Sequence, residues 1–270
     1  MTNFIPYCGS PPFPGHIIWN SDPILGSCFL LALALALRHL VSADASSSQI
    51  ACFVAGWSVL TFALMSPLCN LSVALFAARA GQHLLVAFLA APLLALSGAP
   101  ALAMEPVRRY LGIQKLRHGN SLLSPGTYVF ALIFWFWHFG GPFDLTLQNN
   151  QIYWIMQVSI IFSSIALWAA LLNGHAVGNL HFFAASVFTG FQMSLLGALL
   201  TLSGTSWYSV YFSTTWPWGM TPLEDQQLGG ALMWVVGGVI LAGFLLYSFA
   251  RFFAILESRT SQPSQGFKIV

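Results

Sequence analysis

The sequence predicts an all-α integral membrane protein, a bundle of seven transmembrane helices with its N-terminus outside and its C-terminus in the cytoplasm. Two observations predict this fold class. First, 57% of the 270 residues are hydrophobic and only 6% are charged, whereas soluble proteins carry about 25% charged residues. Second, the apolar residues form continuous runs rather than alternating ones. In lipid such runs favour helices, because a helix satisfies its own backbone hydrogen bonds.

Seven apolar runs approach or exceed the length of about 20 residues that a helix needs to cross about 30 Å of hydrocarbon. The third run is long enough to tilt, and the fourth is the shortest and closes on an aromatic cluster. The predicted spans cover residues 23–41, 49–66, 73–100, 124–140, 152–172, 180–203 and 228–253. Residues 1–22 are expected to form an extracytoplasmic segment, 23–253 the membrane domain and 254–270 a cytoplasmic tail.

The basic residues predict the orientation, because Lys and Arg concentrate on the cytoplasmic side of membrane proteins. With seven spans, eight of the nine Lys and Arg residues fall on the side of the C-terminus, and only Arg79 does not. The loop 101–123 carries four of them and is expected to be the main cytoplasmic anchor. The net charge of +2 is small, so no nucleic acid is expected as a partner. The apolar runs predict a lipid bilayer as the surroundings of the protein.

Polar and sulfur-bearing side chains collect in the outer half of the predicted bundle. Ionisable groups at membrane depth cost at least about 2.5 kcal/mol each, so they are candidates for function. His83 in the third span and His138 at the end of the fourth are the main candidates. Each has a structural alternative, a helix–helix hydrogen bond for His83 and an interfacial position for His138. The other members of this set are Arg79, Gln157, Met193, Asp225, Gln226 and Met233.

The types of these side chains suit one class of metal. Imidazole and thioether ligands together favour cuprous copper over magnesium or calcium. A transient copper site is therefore one interpretation, although buried methionines more often fill space than bind metal. The predicted metal ligands are His83, His138, Met193 and Met233.

Two further features leave alternatives open. Arg79 could extend to the outer headgroups, or it could pair with Asp225 or Glu224. Cys8 and Cys69 both lie on the predicted outer side. There they could form a disulfide, as an oxidising exterior allows, or supply thiolates to a metal.

Three segments carry a resemblance to a known family. The third span reads ARAGQHLLVAFLAAPLLALSGAP from Ala78 to Pro100, and the fourth reads FWFWHFGGPFDLTL from Phe134 to Leu147. The seventh is preceded by PLEDQQLGGALMWVVGG, from Pro222 to Gly238. In combination these segments resemble the CtaG-type cytochrome c oxidase assembly factors, polytopic proteins needed to mature haem-copper oxidases. The resemblance covers roughly residues 50–250.

The resemblance implies an outer-facing site that is used in oxidase assembly, by delivering or handling copper. It also implies a bacterial inner membrane, with a haem-copper oxidase subunit and other assembly or copper proteins as partners. One departure is Gln157, in YWIMQVSIIF, where the family tends to place a histidine, a better copper ligand than glutamine. The matching positions are His83, His138, Asp225, Gln226 and Met233.

The sequence therefore predicts a non-enzymatic metal chaperone for respiratory-chain biogenesis. Copper would be held by His83, His138 and a methionine, with Asp225 orienting a histidine as an outer carboxylate. Two binding alternatives remain, a bis-histidine membrane haem protein and a copper permease, which would need ligands staged across the membrane. An enzyme is disfavoured because the chain has no HExxH motif and no DxxxD pair for prenyl transfer.

Overall fold

The computed structural model describes residues 4–101, 125–172 and 180–260, and every regular element within them is helical. Short 3-10 turns at Ser209–Tyr211 and Trp216–Trp218 lie in the loop 203–221. The helices, named in chain order, are α1 Pro23–Ser42, α2 Ser47–Met65, α3 Pro67–Ala74, α4 Phe76–Leu96, α5 Pro125–His138, α6 Gly140–Thr146, α7 Asn150–Leu171, α8 Leu180–Leu202 and α9 Pro222–Thr260.

Six helices of the described residues are long and apolar enough to cross a membrane. They coincide with all the predicted spans except the fourth. Helix α5 lies at that position and has 14 residues in the structure, about 21 Å of helix, which is shorter than the hydrocarbon. It begins directly after residues 102–124, which lie outside the described residues. That stretch includes the four basic residues of the predicted anchor loop. The count of seven and the orientation therefore stay predictions.

Helices α3, α6 and α9 differ from the predicted spans, and local capping explains α3 and the start of α9. The sequence predicts loops where α3 and α6 lie, but α3 has Ser66 as its N-cap and Pro67 in its first turn, a favourable helix start. Helix α9 starts six residues before the predicted span, because Thr221 and Glu224 exchange hydrogen bonds as a capping box. It continues to Thr260, so the first part of the predicted tail is helical.

Helix α4 is the central helix, and it packs against α2, α7 and α9. Its residues Leu85–Ala90 form π-helical turns, and Pro92 follows. Pro92 has no N–H to donate to the preceding turn. The carbonyl of Ala87 instead accepts a hydrogen bond from the indole of Trp168 on α7, at 2.7 Å.

This indole contact leads to a first prediction. Trp168→Phe should lower the free energy of unfolding by about 1–2 kcal/mol, because the buried Ala87 carbonyl loses its side-chain donor. Thermal unfolding in detergent, followed by circular dichroism, measures the loss. Trp216→Phe is the matched control, since the Trp216 indole also donates to a backbone carbonyl, at 3.0 Å, but is 61% exposed. Equal losses in the two variants would contradict the importance of burial.

One end of the bundle carries the N-terminal segment, residues 4–22. We call it the disulfide end, because Cys8 and Cys69 are joined there by a disulfide. The sequence left open a disulfide or two metal-binding thiolates, and the structure shows the disulfide. Asn70 fastens the segment further, since its Nδ2 donates to the carbonyls of Cys8 at 2.9 Å and Ser10 at 3.1 Å. The segment is therefore attached to the bundle at several points.

Candidate functional site

Two histidines from different helices meet near the disulfide end. His83 lies on α4, and His138 is the last residue of α5. Their ring centroids are 5.7 Å apart, and their planes are inclined at 78°. Both side chains are 1% exposed. The sequence predicts both as site residues on successive spans, and the structure brings their rings together.

Three of the four ring nitrogens of this pair have no hydrogen-bond partner in the described residues. The fourth, His138 Nδ1, lies 2.7 Å from the carbonyl oxygen of Phe134, one turn earlier on α5. A carbonyl can only accept, so Nδ1 carries the proton and donates, and Nε2 presents a lone pair. Neither ring nitrogen of His83 has a hydrogen-bond partner in the part of the chain that the structure describes. The pair thus offers imidazole lone pairs as possible ligands.

Aromatic residues hold His138 in place. Phe134 stacks on the His138 ring at 4.3 Å, and Phe76 meets the same ring edge-on at 6.5 Å. Tyr208, in the loop 203–221, stacks on Phe76 at 4.4 Å and donates its hydroxyl to the His138 carbonyl at 2.9 Å. Burial raises the pKa of Tyr208 well above its usual value. Its hydroxyl therefore stays protonated, as this hydrogen bond requires.

Asp225 fixes the start of α4 and does not hydrogen-bond to a histidine. Its carboxylate accepts from the backbone N–H groups of Phe76 at 2.6 Å and Ala77 at 3.0 Å, which offsets the positive end of the helix dipole. The sequence predicts that Asp225 orients a histidine directly. The structure gives it an indirect position, through the helix that carries His83. Gln226 likewise binds backbone groups, of α8 and of the loop 203–221.

A network of buried amides lies beside the histidine pair. Gln157, on α7, donates to Gln82 Oε1 at 3.2 Å and to the Tyr153 hydroxyl at 3.0 Å. Gln82 in turn donates to the carbonyl of Ala63 on α2 at 2.7 Å. Arg79 donates to Gln82 Oε1 at 3.4 Å, and its guanidinium carbon lies 5.2 Å from the centre of the Tyr153 ring. The described hydrogen bonds of Gln157 thus lead to an amide and a hydroxyl.

The two methionines predicted as ligands are buried side chains on neighbouring helices. Met193 on α8 and Met233 on α9 are each 1% exposed. A methyl group added at Gly237 of α9 would lie 3.7 Å from Met193 Cε and 3.8 Å from Leu84 Cδ2. Met193 therefore packs near the residue that follows His83. The ligand roles of both methionines stay predictions.

Sequence reasoning missed the aromatic residues that position the histidines, namely Phe76, Phe134 and Tyr208. Phe, Trp and Tyr make up 15% of the chain, so an aromatic side chain is not distinctive by itself. Only one signal could have been found: Phe134 precedes His138 by one helical turn, a spacing at which side chains meet.

The spacing of the histidine pair is compatible with two imidazoles that share one metal ion. If each imidazole bound one ion through a nitrogen at about 2 Å, the ring centroids would lie about 6 Å apart, close to the 5.7 Å observed. Imidazole is a ligand for copper, zinc, iron and nickel. Within residues 4–101, 125–172 and 180–260, no group of three or more His, Cys, Asp or Glu is suited to a metal. Among these residue types, a site here would therefore have the two imidazoles as its ligands within the described residues.

A family model matches residues 28–254, most of the chain, and it describes a cytochrome c oxidase caa3 assembly factor. The chain belongs to this family. The resemblance predicted from three sequence segments is thereby confirmed, over a slightly longer part of the chain than residues 50–250. Comparisons with curated proteins and with solved structures gave no match.

The family match covers nearly the whole membrane domain. The match begins within α1 and ends within α9, so it includes every helix that contributes to the histidine pair and its surroundings. The assembly factor has the apolar helices of a multi-pass membrane protein. Its family indicates a non-catalytic role in association with a haem-copper oxidase.

Proposed function

We propose that this assembly factor holds copper transiently at His83 and His138 and passes it to a haem-copper oxidase subunit during assembly. The ion is cargo, which the protein binds and releases. The observation that carries the proposal is the buried imidazole pair, with three ring nitrogens that lack hydrogen-bond partners among the described residues. Buried polar atoms are normally paired, so these nitrogens favour a ligand role over simple packing.

The hydrogen bond of His138 supports the same role. Histidines that bind metals usually donate their other ring N–H to an acceptor, which fixes the tautomer and the ring orientation. His138 Nδ1 does so with the Phe134 carbonyl, and this leaves Nε2 for a metal. His83 has no such bond in the described residues. One fixed and one adjustable ligand suit a site that must also release its ion.

We place the disulfide end on the outer side of a bacterial inner membrane, with the N-terminus outside and the C-terminus in the cytoplasm. Disulfides persist in the bacterial periplasm and other oxidising compartments, and the Cys8–Cys69 disulfide belongs to this end. The sequence distribution of Lys and Arg favours the same orientation. Copper would then reach the histidine pair from outside.

Met193 and Met233 are the proposed thioether ligands of the copper site. Met193 packs near Leu84, which follows His83 on α4. Thioether sulfur is a soft ligand that favours the cuprous ion. A weak additional ligand of this kind would stabilise bound copper without closing the site permanently.

Cuprous copper binding by the protein purified in detergent tests the proposal. His83→Ala and His138→Ala should each weaken binding by more than about 100-fold, since losing only the outer partner of a ligand costs about 10–100-fold. A competing colorimetric chelator measures the affinity. His16→Ala is the matched control, because His16 is exposed on the N-terminal segment and should leave the affinity unchanged.

Activity in cells separates metal handling from packing. His83→Ala should remain in the membrane at the wild-type level while oxidase activity falls. Disappearance of the variant protein from the membrane would instead indicate a packing role for the ring. If the wild-type protein binds no cuprous copper, the proposed copper handling is contradicted. The assembly role would then consist of holding the oxidase subunit. A Soret band in the purified protein would favour the haem alternative.

A further inference from the structure

Arg79 is a buried cation whose charge is not neutralised by the described residues. Its side chain is 0% exposed, near the start of α4. Nη1 donates to Gln82 Oε1 at 3.4 Å, whereas Nε and Nη2 have no hydrogen-bond partner in the described ranges. The guanidinium also lies over the Tyr153 ring, a contact that uses the positive charge but satisfies no N–H donor.

This arrangement is energetically unfavourable for an isolated chain. A guanidinium stays protonated at any pH that a protein tolerates, so it cannot escape the cost of burial by losing its proton. Buried charges are normally paired for this reason. The region around Arg79 therefore attracts negative charge.

The acidic side chains described at this end are hydrogen-bonded to other groups. Tyr211, a neighbour of Arg79, is neutral, because burial raises its pKa above the usual value although Arg79 opposes this rise. The carboxylates and the groups that they bind are Asp225 with the start of α4, Asp144 with Ser209, Glu224 with Thr221, and Asp22 with Tyr7 and the start of α1. None of these contacts involves Arg79, so no described carboxylate is hydrogen-bonded to its guanidinium.

His83 supplies a second donor at the same place. It follows Arg79 by four residues on α4, so the two side chains share one face of the helix. Helical side chains lean toward the N-terminus, which brings the His83 ring over the turn of Arg79. Both ring nitrogens of His83 lack partners among the described residues, and a neutral imidazole has one N–H to donate. The free donors of the two residues therefore lie on the same face of α4.

We infer that Arg79 and His83 bind a small monovalent anion, a halide or the carboxylate of a small acid, inside the disulfide end of the bundle. The guanidinium donates through Nε and Nη2, and the imidazole donates its N–H. Arg79 is 0% exposed, so the ligand must be small enough to lie within the bundle. A lipid headgroup phosphate, which is attached to its glycerol, does not meet this condition.

The anion site goes beyond the proposed copper function and does not depend on it. An anion accepts N–H groups, whereas copper needs a nitrogen lone pair. The two ligands can also act together at His83, because a metal-bound histidine commonly donates its other N–H to a carboxylate. A bound anion would in addition offset the repulsion between Arg79 and a copper ion.

The test uses metal-free protein in detergent with a chelator present, at constant ionic strength. Replacing gluconate, which is too large for the site, by chloride or formate should raise the midpoint of thermal unfolding of the wild type. The expected rise is about 3 °C when the small anion is present at about ten times its dissociation constant. Arg79→Gln should have the same midpoint in all three salts. Arg38→Gln is the matched control, since Arg38 is exposed on α1 and should respond like the wild type.

Chloride NMR gives a direct measure of binding. The wild type should broaden the chloride resonance, and excess formate should reverse the broadening if both anions compete for Arg79. A response to chloride alone assigns a halide site, and a response to formate alone assigns a carboxylate site. Equal wild-type midpoints in all salts would overturn the inference, as would an Arg79→Gln variant that responds like the wild type. Arg79→Lys, which keeps the charge but loses the paired donors, should respond more weakly; an undiminished response would also overturn it.

Discussion

Asp225→Ala should lower the free energy of unfolding by about 3 kcal/mol or more, because hydrogen bonds to a charged group contribute about 1.5–3 kcal/mol each. The carboxylate accepts two of them, from the buried backbone N–H groups of Phe76 and Ala77. After the substitution both N–H groups would remain buried without an acceptor, at the break between α3 and α4. Thermal unfolding in detergent and the amount of protein in the membrane would measure the loss.

Glu224→Ala is the matched control for this variant. Glu224 is the preceding residue, but it is exposed and caps its own helix through Thr221, so its loss should cost about 1 kcal/mol. Asp225→Asn should be intermediate, since the amide keeps one acceptor oxygen and turns a donor toward the second N–H group. Equal costs for the two alanine variants would mean that Asp225 does not stabilise α4, and its burial would then need a functional explanation.

Gly140→Ala should destabilise the protein by about 2–3 kcal/mol, the upper part of the range for overpacking. A Cβ at Gly140 would lie 2.3 Å from the carbonyl oxygen of Trp207. That oxygen belongs to the backbone, so it cannot rotate away as a side chain could. Relief requires α6 to separate from the loop 203–221, whose Tyr208 holds the carbonyl of His138. Under the proposed function, the variant should therefore bind copper more weakly at the histidine pair as well as being less stable.

Gly141→Ala separates close packing from the general effect of alanine in α6. Apart from its chain neighbours and the backbone of its own helix, no atom of the described residues lies within 4 Å of a Cβ placed at Gly141. Alanine also favours a helix over glycine by about 0.5–1 kcal/mol, so this variant should be as stable as the wild type or slightly more stable. Unfolding midpoints that fall by the same amount in both variants would contradict the contact between Gly140 and Trp207.

The long helices could be predicted because a membrane imposes both a length and a composition on each span. The break between α3 and α4 could not. Leu75 has an extended backbone there, with φ −134° and ψ 129°. The N–H group of Phe76 that this break exposes is bound by Asp225, 149 residues further along the chain. No local pattern reports such a distant partner, so a single span covering residues 73–100 was the natural prediction.

The histidine pair could be predicted because His83 and His138 lie at the same end of successive spans. The contacts around the pair could not, since they depend on how each helix is rotated about its axis. Helices α2 and α7 are apolar on all sides, so hydrophobic periodicity does not show which face is buried. For this reason the sequence predicts Gln157 as a polar residue of the site but does not predict its hydrogen bond to Gln82.

The Cys8–Cys69 disulfide has a consequence for the biogenesis of the protein. Helices α1 and α2 separate the two cysteines in the chain, so both thiols reach an oxidising compartment across the membrane only when the two helices are inserted as a hairpin. The N-terminal segment leaves the ribosome first, yet its covalent attachment must wait for this insertion. If one helix of the hairpin fails to cross, the two thiols lie on opposite sides of the membrane. Formation of the disulfide therefore indicates that α1 and α2 have both crossed the membrane.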